Sequence, residues 1–145
     1  MQKFEPVDQD YVARVRYGFS LQNLMTTIDA RMTEVLPGEV HIELPFSPKL
    51  TQQHGYIHAG LITSIVDSAC GFAAYTLMLG SSGVLTVEYK VNFLSPAKGD
   101  KFLAVGRVIK PGRTLTICNG EVSAIDGKDH KLVALMQATM MAVST

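Results

Sequence analysis

The sequence predicts an α+β fold in which one long helix packs across an antiparallel sheet. An apolar run over residues 59–79 has the length of a helix, and it stops at Gly80-Ser81-Ser82-Gly83, a helix-terminating signal. Six shorter runs alternate apolar and polar residues as strands do, and several of them end at turn signals that contain glycine. One long helix among six strands is typical of this class.

The segments in front of the long helix predict a short helix and a hairpin. Residues 8–18 begin with acidic residues able to cap a helix and carry apolar residues at helical spacing. Residues 26–36 and 39–46 alternate and meet at Pro37-Gly38, which is typical of a turn. A polar loop over residues 47–57 then leads to the long helix.

Four more strands are predicted after the long helix. They cover residues 84–94, 101–110, 114–125 and 131–143. The second and third of these are joined at Pro111-Gly112, and the third and fourth at Asp126-Gly127-Lys128, a hairpin signal.

Composition indicates one soluble globular domain over residues 1–145. Charged residues make up only 18% of the chain, which indicates that part of the surface is buried between subunits. The formal net charge is zero, whereas a nucleic-acid-binding protein needs a basic face, so we expect no nucleic-acid partner.

We expect a cytoplasmic protein without a membrane segment or a metal site. The first six residues lack the apolar core of a signal peptide, and polar residues interrupt the longest apolar run. Cys70 and Cys118 lie in apolar contexts and share no metal-ligand spacing with a histidine, so we interpret them as small core residues. His41, His54 and His130 have no partner by spacing and are interpreted as solvated.

Asp67 is the most informative residue because it lies in the middle of the apolar helix. Burying a carboxylate costs several kcal/mol unless it has a partner, and no Lys or Arg lies within a turn on either side. One interpretation is a structural carboxylate bonded to backbone or hydroxyl groups, such as those of Thr63 and Ser64. The other is a carboxylate kept for chemistry, as a base or nucleophile.

Several motifs resemble those of one enzyme family. The helix opens on His58-Ala59-Gly60, Gly55 lies three residues earlier, and Asp67 follows the histidine by nine residues. The strand that leads to Asn92-Phe93-Leu94-Ser95-Pro96-Ala97 and the turn Lys110-Pro111-Gly112-Arg113 also match. Over roughly residues 50–143 the chain resembles the hotdog-fold acyl-CoA thioesterases, PaaI-type branch.

The resemblance implies a hotdog fold over residues 1–145, with a central helix wrapped by the sheet. It also implies a homodimer or a dimer of dimers, that is, a homotetramer, in which the long helices pack at the centre. The reaction it implies is hydrolysis of an acyl-CoA to a carboxylic acid and free coenzyme A, without a metal or cofactor.

The resemblance also assigns roles within the long helix. Asp67 acts as base or nucleophile, and the backbone N–H groups at Ala59 and Gly60 form an oxyanion hole. The family usually has glycine where this chain has Ala59, but alanine keeps the N–H. His58 is a candidate acid or, alternatively, shapes the start of the helix.

Residues outside the helix complete the implied site. Thr86 matches a hydroxyl that holds the attacking water, although it could be an ordinary strand threonine. Gln52, six residues before the histidine, matches a residue that orients the substrate. Lys110, Gly112 and Arg113 form a turn suited to the phosphates of coenzyme A or, alternatively, an exposed hairpin tip.

Two further predictions concern the shape of the site. We expect an apolar pocket for an aryl or medium acyl chain, lined by the long helix and residues 84–94, with contributions from Phe72, Tyr75 and Met78. Ala59 and Asp67 lie eight residues apart, about 12 Å along a helix, so one thioester cannot reach both in a single chain. We therefore expect each site to combine two antiparallel helices.

A different class of function is an acyl-CoA-binding or sensing module that does no chemistry, which would not need Asp67. A hydratase on the same fold is disfavoured because it pairs its acid with a histidine five residues on, where this chain has Phe72.

Overall fold

The computed structural model describes residues 3–145, and its elements follow the predicted order, with one extra short α-helix and a 3₁₀ helix, Pro48–Leu50. The α-helices of this range are Tyr11–Ser20 (α1), Asn23–Thr27 (α2) and Ala59–Tyr75 (α3). The six strands are Arg31–Leu36 (β1), Glu39–Pro45 (β2), Ser82–Phe93 (β3), Lys101–Lys110 (β4), Leu115–Asp126 (β5) and Asp129–Ser144 (β6).

The strands form one antiparallel sheet in the order β1-β2-β4-β5-β6-β3, and α3 lies across its inner face. The predicted α+β class is therefore confirmed. Strands β1 and β3 form the two edges of this sheet, so β3 is paired on one side only, with β6.

Two glycines allow α3 to lie unusually close to the sheet. Gly106 of β4 and Gly120 of β5 are directly opposite each other in the sheet. A Cβ at Gly106 would overlap the backbone of Ala69 and Cys70, and one at Gly120 would press on Val66. Any larger residue at either position would push the helix outward and disturb the packing of the core.

The long helix ends at Tyr75, four residues earlier than predicted. Buried Thr76 donates its hydroxyl hydrogen to the carbonyl of Ala73 (2.6 Å) and accepts the N–H of Gly38 (2.7 Å). Arg14 of α1 donates to the carbonyls of Tyr75 (3.3 Å) and Met78 (3.0 Å). These contacts satisfy the backbone groups that a longer helix would have used.

The strand predicted over residues 26–36 is wrong in its first half. Residues 23–27 are the short helix α2, which buries Met25 and Ile28. Asp29 then adopts a left-handed backbone (φ 60°), and β1 begins only at Arg31. Apolar and polar residues alternate over residues 26–36 as they do in a strand, and this pattern led to the wrong prediction. The predicted helix over residues 8–18 is present but shifted, since α1 runs from Tyr11 to Ser20.

Strand β3 contains a β-bulge that simple alternation does not predict. Thr86 pairs with Met140, but Glu88 pairs with Thr139, so Val87 is an extra residue. Met140 is fully buried, whereas the Thr139 hydroxyl reaches Glu88 on the outer face. The bulge thus turns Thr86 toward α3 and leaves Glu88 on the outer face.

Both cysteines are free and buried, as predicted. Burial raises the pKa of the Cys118 thiol to about 12 and that of Cys70 well above its usual value, so neither forms a thiolate near neutral pH. No helix within residues 3–145 is long and apolar enough to cross a membrane.

Candidate active site

The less buried side of α3 is small and polar rather than apolar. It carries Gly60, Thr63, Ser64, Asp67 and Ser68, which are exposed or half-buried, whereas the sheet-facing side is fully buried. The run over residues 59–79, which is apolar as a whole, therefore has one polar side. We call these five residues the polar stripe of α3.

Asp67 is held by a residue of the sheet and not by its own helix. The Thr86 hydroxyl donates to Asp67 Oδ1 at 2.7 Å. Thr63 and Ser64, the alternative partners, donate instead to carbonyls four residues back, at 2.9 and 2.7 Å. The interpretation that their hydroxyls satisfy Asp67 is therefore wrong.

The surroundings of Asp67 raise its pKa. Partial burial disfavours the charged form and raises the pKa of this carboxyl, and the hydrogen bond from Thr86 lowers it by less. No Lys or Arg among the described residues forms an ion pair with it. A carboxylate with a raised pKa accepts a proton more readily than a free aspartate does.

A cavity of about 70 Å³ lies beside Asp67. It is lined by Gln22, Asp67, Ser68, Gly71, Phe72, Val84 and Thr86. Its volume exceeds the 10–15 Å³ or so that one water needs, and its walls offer several polar groups. Sequence reasoning missed Gln22 and Ser68, because Gln22 lies far from Asp67 along the chain and in a segment without a motif.

The start of α3 presents one free backbone donor. His58 is the N-cap, and its Nδ1 accepts the N–H of Gly60 at 2.8 Å. This N–H is therefore occupied, and Nδ1 is the acceptor in the contact. Within residues 3–145 nothing accepts the N–H of Ala59.

Gln52 lies in the loop that leads to α3. Its Oε1 accepts the backbone N–H groups of His54 (2.6 Å) and Tyr56 (3.3 Å), so its amide NH₂ remains for another partner. Gln52 and Ala59 share the wall of a cavity of about 470 Å³. The apolar residues of that wall include Ile57, Ile62, Phe93, Leu94 and Val133.

The predicted site residues thus form two groups in one protomer. Asp67 and Thr86 line the small cavity, and Gln52 and Ala59 line the large one. The eight-residue separation of Ala59 and Asp67 corresponds to about 12 Å along the helix. One thioester group cannot touch both.

The turn between β4 and β5 carries part of the third predicted group. Gly112 and Arg113 line a cavity of about 200 Å³ that also includes Ser82, four residues before Thr86 on β3. Lys110 is exposed and does not line it. Gly112 is required for space, since a Cβ there would overlap the carbonyl oxygen of Leu115.

The three residues expected to make the acyl pocket apolar do not line the large cavity. Phe72 lies at the Asp67 cavity, Met78 at the Arg113 cavity, and Tyr75 stacks under the guanidinium of Arg14 at 4.3 Å. His41 is not a solvated residue, because its Nε2 lies 2.7 Å from Glu39 Oε1. Among residues 3–145 no cluster of three or more His, Cys, Asp or Glu could hold a metal ion.

Comparison with known proteins identifies the class to which this fold and site belong. Residues 54–130 match the family model of the thioesterase superfamily. A thioesterase family protein from Silicibacter pomeroyi is 45% identical, with a TM-score of 0.91 over 93% of this chain and 99% of that chain. Escherichia coli PaaI, from the phenylacetic acid degradation operon, shares the fold at a TM-score of 0.83 and 15% identity, over 93% of this chain and 94% of PaaI.

A curated relative extends the comparison to sequences with a named activity. Human acyl-coenzyme A thioesterase 13 is 28% identical over 93 residues, which are 63% of this chain and 66% of the human protein. The chain belongs to the thioesterase superfamily and has its hotdog fold. It is a thioester hydrolase.

Proposed function

We propose that the protein hydrolyses acyl-CoA thioesters with Asp67 as the general base and the Ala59 N–H of a second protomer as the oxyanion donor. The observation that carries this proposal is the Asp67–Thr86 pair at 2.7 Å, on the less buried side of α3. The name of the human relative supports coenzyme A as the leaving group.

The chemistry needs one proton acceptor and one oxyanion donor. Asp67 removes a proton from water as the water oxygen attacks the thioester carbonyl carbon. The oxygen of the tetrahedral intermediate accepts a hydrogen bond from the Ala59 N–H, at the positive end of the helix dipole. Collapse breaks the carbon–sulfur bond, and protonated Asp67 returns the proton to the departing thiolate.

A dimer brings these two groups together. Strand β3 is a long edge with unpaired backbone groups, a surface that soluble proteins normally cover. On its inner face Tyr89 is 47% exposed and Phe93 49% exposed, although inward-facing neighbours on β6 are buried. Pairing of β3 with its copy about a two-fold axis covers both the unpaired backbone groups and the two exposed aromatic rings. It also sets the start of one α3 beside the middle of the other.

The nucleotide end of the substrate lies toward Arg113 in this proposal. Ser82 and Thr86 are four residues apart on β3, roughly 13 Å along the strand, so the turn cavity is displaced from Asp67 by about that distance. Arg113 there offers a planar cation suited to phosphate. The large cavity, with Phe93 and Leu94, takes an aryl or medium acyl chain.

Three further assignments remain proposals. Residues 1–145 form one hotdog domain, and a dimer of dimers is the expected assembly. A cytoplasmic location suits two free thiols and a coenzyme A substrate.

The test uses two inactive variants that complement each other. Ala59→Pro removes only the free N–H, because proline is favoured at the first helical position and the N-cap backbone at His58 (φ −57°, ψ 134°) suits a following proline. Loss of one oxyanion donor costs about 10²–10³-fold in kcat. Ala59→Gly, which keeps the N–H, is the matched control and should retain activity.

Co-refolded Ala59→Pro and Asp67→Asn chains should regain about one working site per heterodimer, measured as thiol release from a panel of acyl-CoAs. A heterodimer that forms but stays inactive would show that the two groups do not act across subunits. Full activity of Ala59→Pro would remove Ala59 from the mechanism.

A further inference from the structure

We infer that Gln22, which lies between α1 and α2, positions the attacking water at Asp67 together with Ser68. This inference rests on the proposed function, because it assigns Gln22 a part in the reaction that Asp67 carries out. It concerns a segment outside both the long helix and the sheet.

The first observation is the hydrogen bond of Ser68. Thr63 and Ser64 of the polar stripe donate to backbone carbonyls four residues back, the usual arrangement for hydroxyls in a helix. Ser68, on the same helix, instead donates to Gln22 Oε1 at 3.0 Å. A contact between α3 and a residue 46 positions earlier replaces the local one.

The second observation is that Gln22 does not use its side chain for its own helix. Gln22 is the N-cap of α2, where a side chain commonly accepts a backbone N–H, but its side chain makes no such bond. Its backbone is fixed by its N–H to Phe19 (3.0 Å) and by its carbonyl, which accepts from Met25 (3.1 Å). Met25 and Ile28 are buried and hold α2 in place, so the side chain of Gln22 is aimed from a rigid base.

Counting donors and acceptors shows what this arrangement leaves for a water. Ser68 supplies its only hydrogen to Gln22 Oε1, so both hydrogens of the Gln22 amide remain. Asp67 Oδ1 accepts from Thr86, and among the described residues nothing donates to Oδ2. Gln22 and Asp67 line the same cavity of about 70 Å³.

A water in that cavity has a defined orientation. It donates one hydrogen to Asp67 Oδ2 and accepts one from the Gln22 amide, which leaves a lone pair for attack on the substrate. A glutamine amide orients the attacking water in other hydrolases. Ser68 fixes which way the amide faces, so Gln22 and Ser68 act as one unit.

The experiment compares Gln22→Met, which keeps length but removes the amide, with Gln9→Met, an exposed glutamine of the same N-terminal segment. Loss of water orientation should lower kcat roughly tenfold with KM for acyl-CoA unchanged. Gln9→Met should match the wild type. Ser68→Ala should lower kcat in the same way, and the double variant Gln22→Met/Ser68→Ala should lose no more than Gln22→Met alone.

Gln22→Glu gives a readout that a purely structural role would not change. A second carboxylate beside Asp67 disfavours its charged form, so the acidic limb of the kcat profile should move to higher pH. Gln22→Met or Ser68→Ala with wild-type kcat, or a Gln22→Glu profile that does not move, would overturn the inference.

The outcome for Asp67→Asn separates this inference from the proposed function. If Asp67→Asn is inactive while Gln22→Met and Ser68→Ala keep full activity, only the role of Gln22 is wrong. If Asp67→Asn keeps full activity, the proposed mechanism itself fails. Should Gln22→Met not fold, Ser68→Ala and Gln22→Glu decide the question by the same measurements.

Discussion

Glu39 on the outer face of the sheet and Asp67 on α3 are both partly buried carboxylates, but their neighbours differ. Burial raises the pKa of Glu39, yet a hydrogen bond with His41 (2.7 Å) and the charge of Arg107 (3.2 Å) outweigh it and lower that pKa. Within residues 3–145 Asp67 has only the neutral hydroxyl of Thr86 as a partner, so burial dominates and its pKa is raised.

The difference teaches how a protein keeps a carboxylate basic. A cation beside the carboxylate stabilises the charge and makes it a poor proton acceptor, which suits an ion pair that joins strands. A neutral donor fixes the geometry of the carboxylate without neutralising it. Glu39 therefore contributes stability, and Asp67 gives up stability for reactivity.

The largest effect should come from exchanging each carboxylate for its amide. Asp67→Asn should lower kcat at least about a hundredfold, because the base is lost while shape is kept. Glu39→Gln should leave kcat close to that of the wild type. Wild-type turnover in folded Asp67→Asn would contradict the assignment of the base.

Ionisation of Asp67 and of Glu39 should have opposite effects on the free energy of unfolding. Because the pKa of Asp67 is raised on folding, its ionisation lowers the free energy of unfolding as pH rises from its ordinary value through the raised one. Asp67→Asn should therefore melt at or above the wild-type temperature at neutral pH. The pKa of Glu39 is lowered on folding, so Glu39→Gln should melt lower at neutral pH, and its deficit should vanish as pH falls through that lowered pKa.

A smaller effect should follow from removing the hydroxyl that holds Asp67. Thr86→Val keeps the shape but removes a donor that favours the charged form, so the pKa of Asp67 rises further. The acidic limb of kcat/KM should move to higher pH, with about a tenfold loss at pH 7, the size of one charge-assisted hydrogen bond. Thr139→Val, which removes a hydroxyl that reaches Glu88 on the outer face, is the matched control. An unshifted pH profile for Thr86→Val would show that the contact does not tune Asp67.

The smallest effect concerns Arg113 at the turn. Arg113→Ala should raise KM for acyl-CoA about fivefold, the size of one exposed charge contact, and leave kcat unchanged. It should not affect a truncated acyl-pantetheine substrate, which lacks the nucleotide. Arg31→Ala, another exposed arginine, provides the control. Equal losses on both substrates would argue against a phosphate contact.

Local patterns in the sequence determined the order of the main elements and where several of them meet. The two-residue turn after Asp126 follows from Gly127, which adopts a left-handed backbone (φ 59°) that other residues resist. The carboxylate on α3 was evident because an acid in an apolar helix stands out without any knowledge of its neighbours. Such features depend on residues close together in the chain.

The tertiary structure alone decided which groups meet that carboxylate. Alternation along β3 would place Thr86 on the same face as Glu88, and only the bulge at Val87 turns its hydroxyl to Asp67. The contact of Ser68 with Gln22 depends on how α2 docks on α3, which no local pattern reveals. The sequence by itself determined the reactive group and the secondary structure that carries it. Thr86 lies 19 residues from Asp67 and Gln22 lies 46 residues from Ser68, and packing of the whole chain selects contacts of that kind.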